Sequence, residues 1–206
     1  MQSQTLRVGV LGSGKGSNLQ SIIDSVEAGT LPVTIACVLS DVEDAYILER
    51  ARRHGIEALY VPPGRYRTRL DSQTEAHYVK CLKERGVELV VLAGFMRMLK
   101  EEFLNAYPNR IINIHPSLLP AFRGLEAWKQ ALEYGVKYTG CTVHFVELGM
   151  DTGPIIMQAV VEVKEDDTPE TLHQRIQVQE HIIYPETIRR IAEKRVELRG
   201  RRVFTR

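Results

Sequence analysis

The stretch RVGVLGSGKGSNLQ, residues 7–20, joins a strand pattern, a glycine-rich turn and the start of a helix pattern. Its first five residues are mostly apolar, and three glycines within the next five positions supply the backbone freedom of a tight turn. Ser17 and Gln20 then form the pattern of a capping box ahead of an apolar helical face. A strand that leads through a tight turn directly into a helix is typical of βαβ units.

The same alternation of strand and helix patterns continues through the first two thirds of the sequence. Asp44 is placed to cap a helix that ends near Gly55, and Ser72 to cap another that ends at Gly86. Strict alternation predicts right-handed crossovers and a Rossmann-like, open, mainly parallel twisted sheet with helices on both faces. The predicted strands are 6–11, 33–40, 58–61, 89–92 and 110–114.

The pattern changes after residue 135, where YTGCTVHFV and IIMQAVVEV read as two adjacent strands. The short connection between them, ELGMDTGP, predicts an antiparallel C-terminal extension of the sheet. A final helix is predicted to start at Thr168 and Pro169, and Pro185 to kink or split it. Because neither an internal repeat nor a linker divides the sequence, we predict one domain over residues 1–206.

Composition limits the classes of partner that the chain can recognise. A formal net charge of +1 over 206 residues provides no overall field for nucleic acid or an anionic membrane. The cysteines are odd in number and far apart, which indicates buried thiols in a reducing compartment, and no metal-ligand spacing is present. The N-terminus lacks a signal-peptide pattern, and no apolar run approaches the roughly 18 residues of a membrane span. We therefore expect a cytoplasmic protein.

The glycine-rich turn is a candidate anion site, because backbone N–H groups and the positive end of a helix dipole converge there. The P-loop pattern fails on spacing, and the dinucleotide pattern requires its third glycine one position later. The remaining interpretation is a cradle for one phosphate at Gly16, Ser17 and Asn18. The alternative is a tight turn that binds no ligand.

A second polar cluster lies in NIHPSLLPAFRG, residues 113–124, which begins at the end of the last predicted parallel strand. Asn113 and His115 are two positions apart, so in an extended segment their side chains point the same way. An amide can stabilise an oxyanion while an imidazole moves protons, a combination that suits acyl transfer. Because Ser117 has no evident means of activation, direct transfer between two substrates is favoured. The alternative is that both side chains bond the backbone of an irregular loop.

The imidazole needs a carboxylate to orient it, and Asp151 in the turn GMDTGP is the best candidate. Its alternative role is an Asx turn. From residue types alone, His144 and His181 are interpreted as structural, and Glu180 as a surface carboxylate on a helix.

The segments GSGKGSN, LAGFMRML, NIHPSLLP, GCTVHFV and DTGPII, in this order, closely resemble the glycinamide ribonucleotide formyltransferases. The resemblance covers about residues 6–190. It implies transfer of a formyl group from 10-formyltetrahydrofolate to the primary amine of glycinamide ribonucleotide in purine synthesis, without a metal. It also implies a phosphate-binding half, about residues 1–100, and a folate-binding and catalytic half, about 101–206.

The same resemblance implies roles for individual residues. The implied catalytic residues are Asn113, His115 and Asp151. Gly16, Ser17 and Asn18 match the ribonucleotide phosphate loop, with Gln177 near the phosphate and Glu180 near the substrate amine. The folate cleft is implied at Met96, Arg97, Met98, Leu99, Asn113 and Val146.

Other functions remain open at this point. Arg123 is followed by a glycine, a pair that also occurs in methionyl-tRNA formyltransferases, although the near-neutral charge argues against a tRNA partner. A formyltetrahydrofolate hydrolase uses the same donor with water as the acceptor, and a non-catalytic nucleotide or folate sensor can share the fold. The chain can be a monomer or a homodimer.

Overall fold

The structure is a computed structural model that describes residues 5–206. Within these residues the chain forms nine strands and six helices. In chain order they are β1 (Leu6–Leu11), α1 (Ser17–Glu27), β2 (Val33–Ser40), α2 (Tyr46–Arg53), β3 (Ala58–Tyr60), α3 (Ser72–Glu84), β4 (Leu89–Leu92), α4 (Glu101–Ala106), β5 (Ile111–His115), α5 (Ala127–Tyr134), β6 (Tyr138–Phe145), β7 (Ile155–Glu162), α6 (Pro169–Ala192), β8 (Val196–Arg199) and β9 (Arg202–Thr205). Strands β1, β2 and β4 have the bounds predicted from the sequence, and the bounds of β3 and β5 lie within one residue of the predicted ones.

The first of two compact units ends at Ile112. Its strands lie side by side in the order β3-β2-β1-β4, and the pairings of β1 with β2, β1 with β4 and β2 with β3 are parallel. All four residues of β4 are buried, as are the last four of β1. Such strands are nearly continuous apolar runs because neither face meets water.

The second unit runs from Asn113 to Arg206. Strands β6 and β7 pair in antiparallel fashion, with Tyr138 opposite Glu162 and Cys141 opposite Ala159. Helix α6 packs against both of these strands, and β8 pairs with β9 in a separate hairpin. The antiparallel extension predicted from the sequence is confirmed.

The sheet as a whole has the strand order β3-β2-β1-β4-β5-β6-β7. The strand β5 contains the boundary between the two units. The predicted mainly parallel sheet with helices and an antiparallel C-terminal extension is therefore confirmed. The assignment of residues 1–206 to one domain stays a prediction.

The helix starts differ from the predicted caps. Helix α1 has Gly16 as its N-cap in the left-handed conformation, φ 73°, so the predicted capping box of Ser17 and Gln20 is wrong. Helix α2 is preceded by Ala45 and not by Asp44. Helix α3 is capped by Asp71, one residue before the predicted cap, and its carboxylate accepts from the Thr74 N–H at 2.9 Å.

Helix α6 begins as predicted, with Thr168 as the N-cap and Pro169 in the first turn. Pro185, however, lies inside this 24-residue helix, which continues to Ala192, so the predicted split does not occur. Pro185 itself is buried. Packing of the helix against the sheet compensates for the backbone hydrogen bond that a proline removes.

Two further expectations concern exposure. Cys37 and Cys141 are buried as predicted, whereas Cys81 is only partly buried. Among residues 5–206, every helix is too short or too polar to cross a lipid bilayer. The signal-peptide interpretation includes residues 1–4, which lie outside the described residues.

A partly buried ion pair in the second unit predicts a pH-dependent contribution to stability. The Asp167 side chain is 2% exposed and lies 2.5 Å from the Arg175 guanidinium, with Thr171 and the Lys164 N–H as further donors. Arg175 above all holds the pKa of Asp167 well below its usual range. The stabilisation is therefore complete above the unfolded-state pKa of about 3.9 and is lost as the pH falls toward the folded-state value.

We expect Asp167→Asn to lower the free energy of unfolding at pH 7 by about 1.5–3 kcal/mol, because charge-assisted hydrogen bonds are lost. Urea unfolding at pH 7 and pH 3 measures the effect. The difference between parent and variant should shrink at pH 3. An equal difference at both pH values contradicts the assignment.

Candidate active site

Asn113 and His115 lie on β5, at the start of the second unit. Asn113 is half-buried, whereas the other four residues of β5 are buried, with His115 5% exposed. Asn113 Nδ2 lies 3.3 Å from His144 Nε2, and His115 Nδ1 lies 3.4 Å from Asp151 Oδ2. The structure therefore brings together the amide, the imidazole and the carboxylate that the sequence analysis selects.

Asp151 occupies the turn between β6 and β7 with φ 51°, a left-handed conformation that is uncommon outside glycine. Its Oδ2 accepts from the Gly124 N–H at 2.9 Å, so the carboxylate links this turn to the proline-containing loop. Its Oδ1 lies 3.7 Å from His144 Nε2. One carboxylate thus faces two imidazoles.

The hydrogen-bond partners of His115 show which of its ring nitrogens carries a hydrogen. His115 Nε2 lies 2.8 Å from the Phe122 carbonyl oxygen, which only accepts, so this nitrogen carries a hydrogen. The other nitrogen, Nδ1, faces Asp151 Oδ2. A second proton on Nδ1 gives an imidazolium with both N–H groups directed at acceptors, and the Asp151 carboxylate balances its charge.

His144, which the sequence indicates as structural, contacts the same cluster in the structure. It lies at the carboxyl end of β6 and is 3% exposed, within contact of both Asn113 and Asp151. Gly153 keeps the neighbouring backbone close, since a Cβ there would lie 1.7 Å from the Phe145 carbonyl oxygen. A lone histidine at the end of an otherwise apolar strand is the sequence signal that could have identified it.

The surroundings of His144 select one tautomer. Its Nδ1 lies 2.8 Å from the Phe145 carbonyl oxygen and therefore carries the hydrogen. Burial lowers the pKa of His144 and outweighs the opposite effects of the Phe145 carbonyl and Asp151. A neutral His144 presents a lone pair on Nε2, which the Asn113 amide N–H satisfies. This bond orients the amide and directs its oxygen elsewhere.

The remaining predicted residues of the second unit lie on α6 and in the loop between β6 and β7. Val146 is half-buried and directly follows β6, and Gln177 is half-buried on α6. Glu180 is 4% exposed, so its interpretation as a surface carboxylate is wrong. Burial raises the pKa of Cys141 to about 12, and the nearby Glu180 carboxylate adds to the increase.

In the first unit, the glycine-rich turn packs tightly against α2. A Cβ on Gly16 would lie 2.7 Å from an Ile47 side-chain carbon, and one on Gly12 would lie 2.7 Å from the Ala93 carbonyl oxygen. The Ile47 N–H donates to the Gly14 carbonyl at 3.0 Å. These glycines are therefore required by packing, which is compatible both with a phosphate cradle and with a tight turn alone.

Residues 96–99 follow β4 in the same unit and differ in exposure. Met96 is 57% exposed, whereas Leu99 is 3% exposed and belongs to the core. The Arg97 guanidinium donates to Asp41 at 2.7 Å and to the Tyr66 carbonyl at 2.8 Å, so this side chain is bonded within the fold. Met98 pairs with Arg69 through an isolated parallel bridge.

A cavity of about 630 Å³ in the first unit is lined in part by Arg65 and Arg69. Arg65 and Arg69 both place their guanidinium groups over the Tyr66 ring, at 5.1 Å and 4.3 Å from its centre. The cavity wall also includes Asp71 and Glu101, so its charge is mixed.

Comparison with known proteins gives a consistent result. The model of the formyl transferase family matches residues 6–188. The phosphoribosylglycinamide formyltransferase of Bacillus subtilis is 42% identical over 182 residues, which cover 88% of this chain and 92% of that protein. A crystal structure of glycinamide ribonucleotide transformylase 1 from Symbiobacterium toebii has a TM-score of 0.94 and 54% identity, with 99% of this chain and 95% of that chain covered.

A longer relative shows the same similarity. The human trifunctional purine biosynthetic protein adenosine-3 is 41% identical over 197 residues, which cover 96% of this chain. The chain spans only 14% to 20% of the length of the trifunctional relatives that it matches.

The tautomer of His144 can be measured directly. At pH 7 we expect neutral imidazole with hydrogen on Nδ1, because burial opposes the charge and Phe145 accepts only from a protonated nitrogen. Long-range proton–nitrogen spectra report the state of each ring nitrogen, and His144→Asn assigns the signal. The charged form should appear only at a pH below the ordinary histidine pKa of about 6.5. A hydrogen on Nε2 or a charged ring at pH 7 contradicts the arrangement.

Proposed function

The chain belongs to the formyl transferase family, and from that premise we propose that it transfers a formyl group from 10-formyltetrahydrofolate to the primary amine of glycinamide ribonucleotide in purine synthesis. The observation that carries the proposal is the convergence of Asn113, His115 and Asp151, whose side-chain types suit acyl transfer without a covalent intermediate. The formyl folate supplies a carbonyl carbon that an amine can attack. Catalysis then requires an oxyanion donor and a proton carrier.

Asn113 is the proposed oxyanion donor. One hydrogen of its Nδ2 is directed to His144 Nε2, which leaves the second hydrogen for the oxygen of the tetrahedral intermediate. Such a donor acts efficiently when its orientation is set before the reaction. The neutral His144 provides that orientation, because its Nδ1 hydrogen is held by the Phe145 carbonyl.

His115 and Asp151 are the proposed proton carrier and its partner. Transfer removes one proton from the attacking amine and returns one to the departing folate nitrogen, so the protein must hold a proton only transiently. His115 can take that proton at Nδ1, where Asp151 Oδ2 lies 3.4 Å away and stabilises the charge. The left-handed turn at Asp151 and its bond from the Gly124 N–H keep the carboxylate in position.

The ribonucleotide phosphate is proposed to bind at Gly16, Ser17 and Asn18. These residues form the N-terminus of α1, an 11-residue helix whose first N–H groups point out of the turn. Gln177 is proposed to lie near the phosphate and Glu180 near the substrate amine. The burial of Glu180 supports a specific role, since carboxylates are rarely buried without one.

The folate cleft is proposed to include Met96, Arg97, Met98, Leu99 and Val146, in addition to Asn113. An exposed Met96 side chain suits a flat apolar ring. The Arg97 and Leu99 side chains are engaged within the fold, so their main-chain groups are the parts suited to polar contacts with the ring edge. We further propose a cytoplasmic monomer or homodimer that needs no metal and binds neither nucleic acid nor a membrane.

The function is tested by following the absorbance of a formyl-folate analogue with and without glycinamide ribonucleotide. We expect deformylation only when both substrates are present, with formylated ribonucleotide as the product. Deformylation that does not need the ribonucleotide indicates a hydrolase. Binding of both ligands without turnover indicates a sensor, and either result rejects the proposed transferase.

Asn113→Ala tests the oxyanion donor in the same assay. Loss of one such donor is expected to raise the activation free energy by about 2.7–4 kcal/mol, measured as a lower kcat with both substrates saturating. Asn105→Ala is the matched control, because Asn105 is exposed on α4 and should keep the parental kcat. Parental turnover in Asn113→Ala shows that another group stabilises the oxyanion.

A further inference from the structure

Asp41 is a buried carboxylate that the proposed reaction does not use. It directly follows β2 in the first unit, and its side chain is only 1% exposed. Its Oδ1 accepts from the Ser13 hydroxyl at 2.5 Å, and its Oδ2 accepts from Arg97 Nε at 2.7 Å. A charge removed from water in this way persists only with such partners. Its partners are Ser13 in the glycine-rich turn and Arg97 in the proposed folate segment, residues 96–99.

Ser13 links Asp41 to the glycine-rich turn and to the segment after β4. The Ser13 hydroxyl oxygen accepts from the Met96 N–H at 2.9 Å, and its single hydrogen is donated to Asp41. The Ser13 N–H also donates to the Gly94 carbonyl at 3.0 Å. The turn that leads to Gly16 is therefore bonded to the main chain of the proposed folate segment.

Arg97 extends the same cluster to a third segment. Its guanidinium donates to the Tyr66 carbonyl at 2.8 Å and to the Arg67 carbonyl, while Nε is held by Asp41. The Met98 N–H bonds the Thr68 carbonyl at 2.9 Å. Residues 66–68 thus bond the folate segment as well, and Asp41 joins Arg97 to Ser13.

We propose that Asp41 is a positioning residue that holds the phosphate-binding turn and the folate-binding segment in register, so that its charge supports the binding of both substrates. This inference rests on the proposed function, since it uses the substrate assignments of Gly16–Asn18 and Met96–Leu99. Asp41 acts through Ser13 and Arg97 and contacts neither substrate itself. Asp41 thereby adds charge-assisted hydrogen bonds to the direct bonds that Ser13 makes with the folate segment.

The negative charge is essential to this arrangement. Asp41 accepts on both oxygens, from a hydroxyl on one side and a guanidinium on the other. An asparagine has one oxygen and one NH₂, so with its oxygen on Arg97 its NH₂ faces the Ser13 hydroxyl, which must then accept and can no longer donate to residue 41. The Arg97 guanidinium would also lose the charge that balances it. A substitution that preserves shape therefore weakens the link to Arg97 and reverses the bond to Ser13.

The test is Asp41→Asn in the full chain, with steady-state kinetics for each substrate. We expect the KM values for both the formyl folate and the ribonucleotide to rise on the order of tenfold, while kcat changes much less. Asp167→Asn is the matched control, because it removes the charge from another aspartate–arginine pair, which lies outside the cluster. The control should lose stability and keep both KM values.

The outcomes separate positioning from stability. A merely structural role of Asp41 lowers the active fraction and the melting temperature but leaves both KM values at the parental level, and that result overturns the proposal. A rise in only one KM overturns it as well, because the two segments are then not coupled through Asp41. A parent chain without transfer activity rejects the proposed function itself, which distinguishes the two failures.

Ser13→Ala provides a second test if Asp41→Asn fails to fold. It removes the link between Asp41 and the Met96 N–H but keeps the buried pair of Asp41 and Arg97. Both KM values should rise by a smaller factor, about threefold, as expected for loss of one hydrogen bond of roughly 0.6 kcal/mol or more. Unchanged KM values in a folded Ser13→Ala variant overturn the proposal.

Discussion

A carboxylate that is removed from water must be paired, and in each compact unit one such group contacts segments that lie far apart along the chain. In the first unit, Asp41 recruits Ser13 from 28 residues earlier and Arg97 from 56 residues later. In the second unit, Asp151 faces His115 and His144 and accepts from the Gly124 N–H. Because each carboxylate needs several partners, it bonds or contacts residues from separate segments.

In the second unit, the same physical requirement gives the two imidazoles different tasks. Burial keeps His144 neutral, and the Phe145 carbonyl assigns its hydrogen to Nδ1, so Nε2 can only accept from Asn113. His115 has its Nε2 hydrogen on the Phe122 carbonyl and turns Nδ1 toward Asp151. One ring therefore orients an amide and the other is suited to carry a proton. The proposed formyl transfer needs both tasks.

Local sequence signals predict the fold well where apolar runs decide it. Strands β1, β2 and β4 have the predicted bounds because parallel strands buried on both faces are continuous apolar runs. The caps of α1 to α3 are less well predicted, since Gly16 replaces the expected Ser17 cap and Asp71 precedes the expected Ser72 cap. At α3, two residues of similar capping ability, Asp71 and Ser72, lie side by side, and only the path of the chain selects between them. Pro185 is tolerated inside α6 for a related reason, because its surroundings and not its own preference decide.

The sequence by itself determined the order of strands and helices, the glycine-rich turn and the motifs that assign the chain to its family, since these depend on neighbours along the chain. It also pointed to Asn113, His115 and Asp151 as residues that share one site. Only the tertiary structure decided the partners of His144 and Asp41, which appear in the sequence as an ordinary strand histidine and an ordinary loop aspartate. Burial and hydrogen bonding depend on neighbours in space, and the residues that satisfy these two groups come from segments far away along the chain.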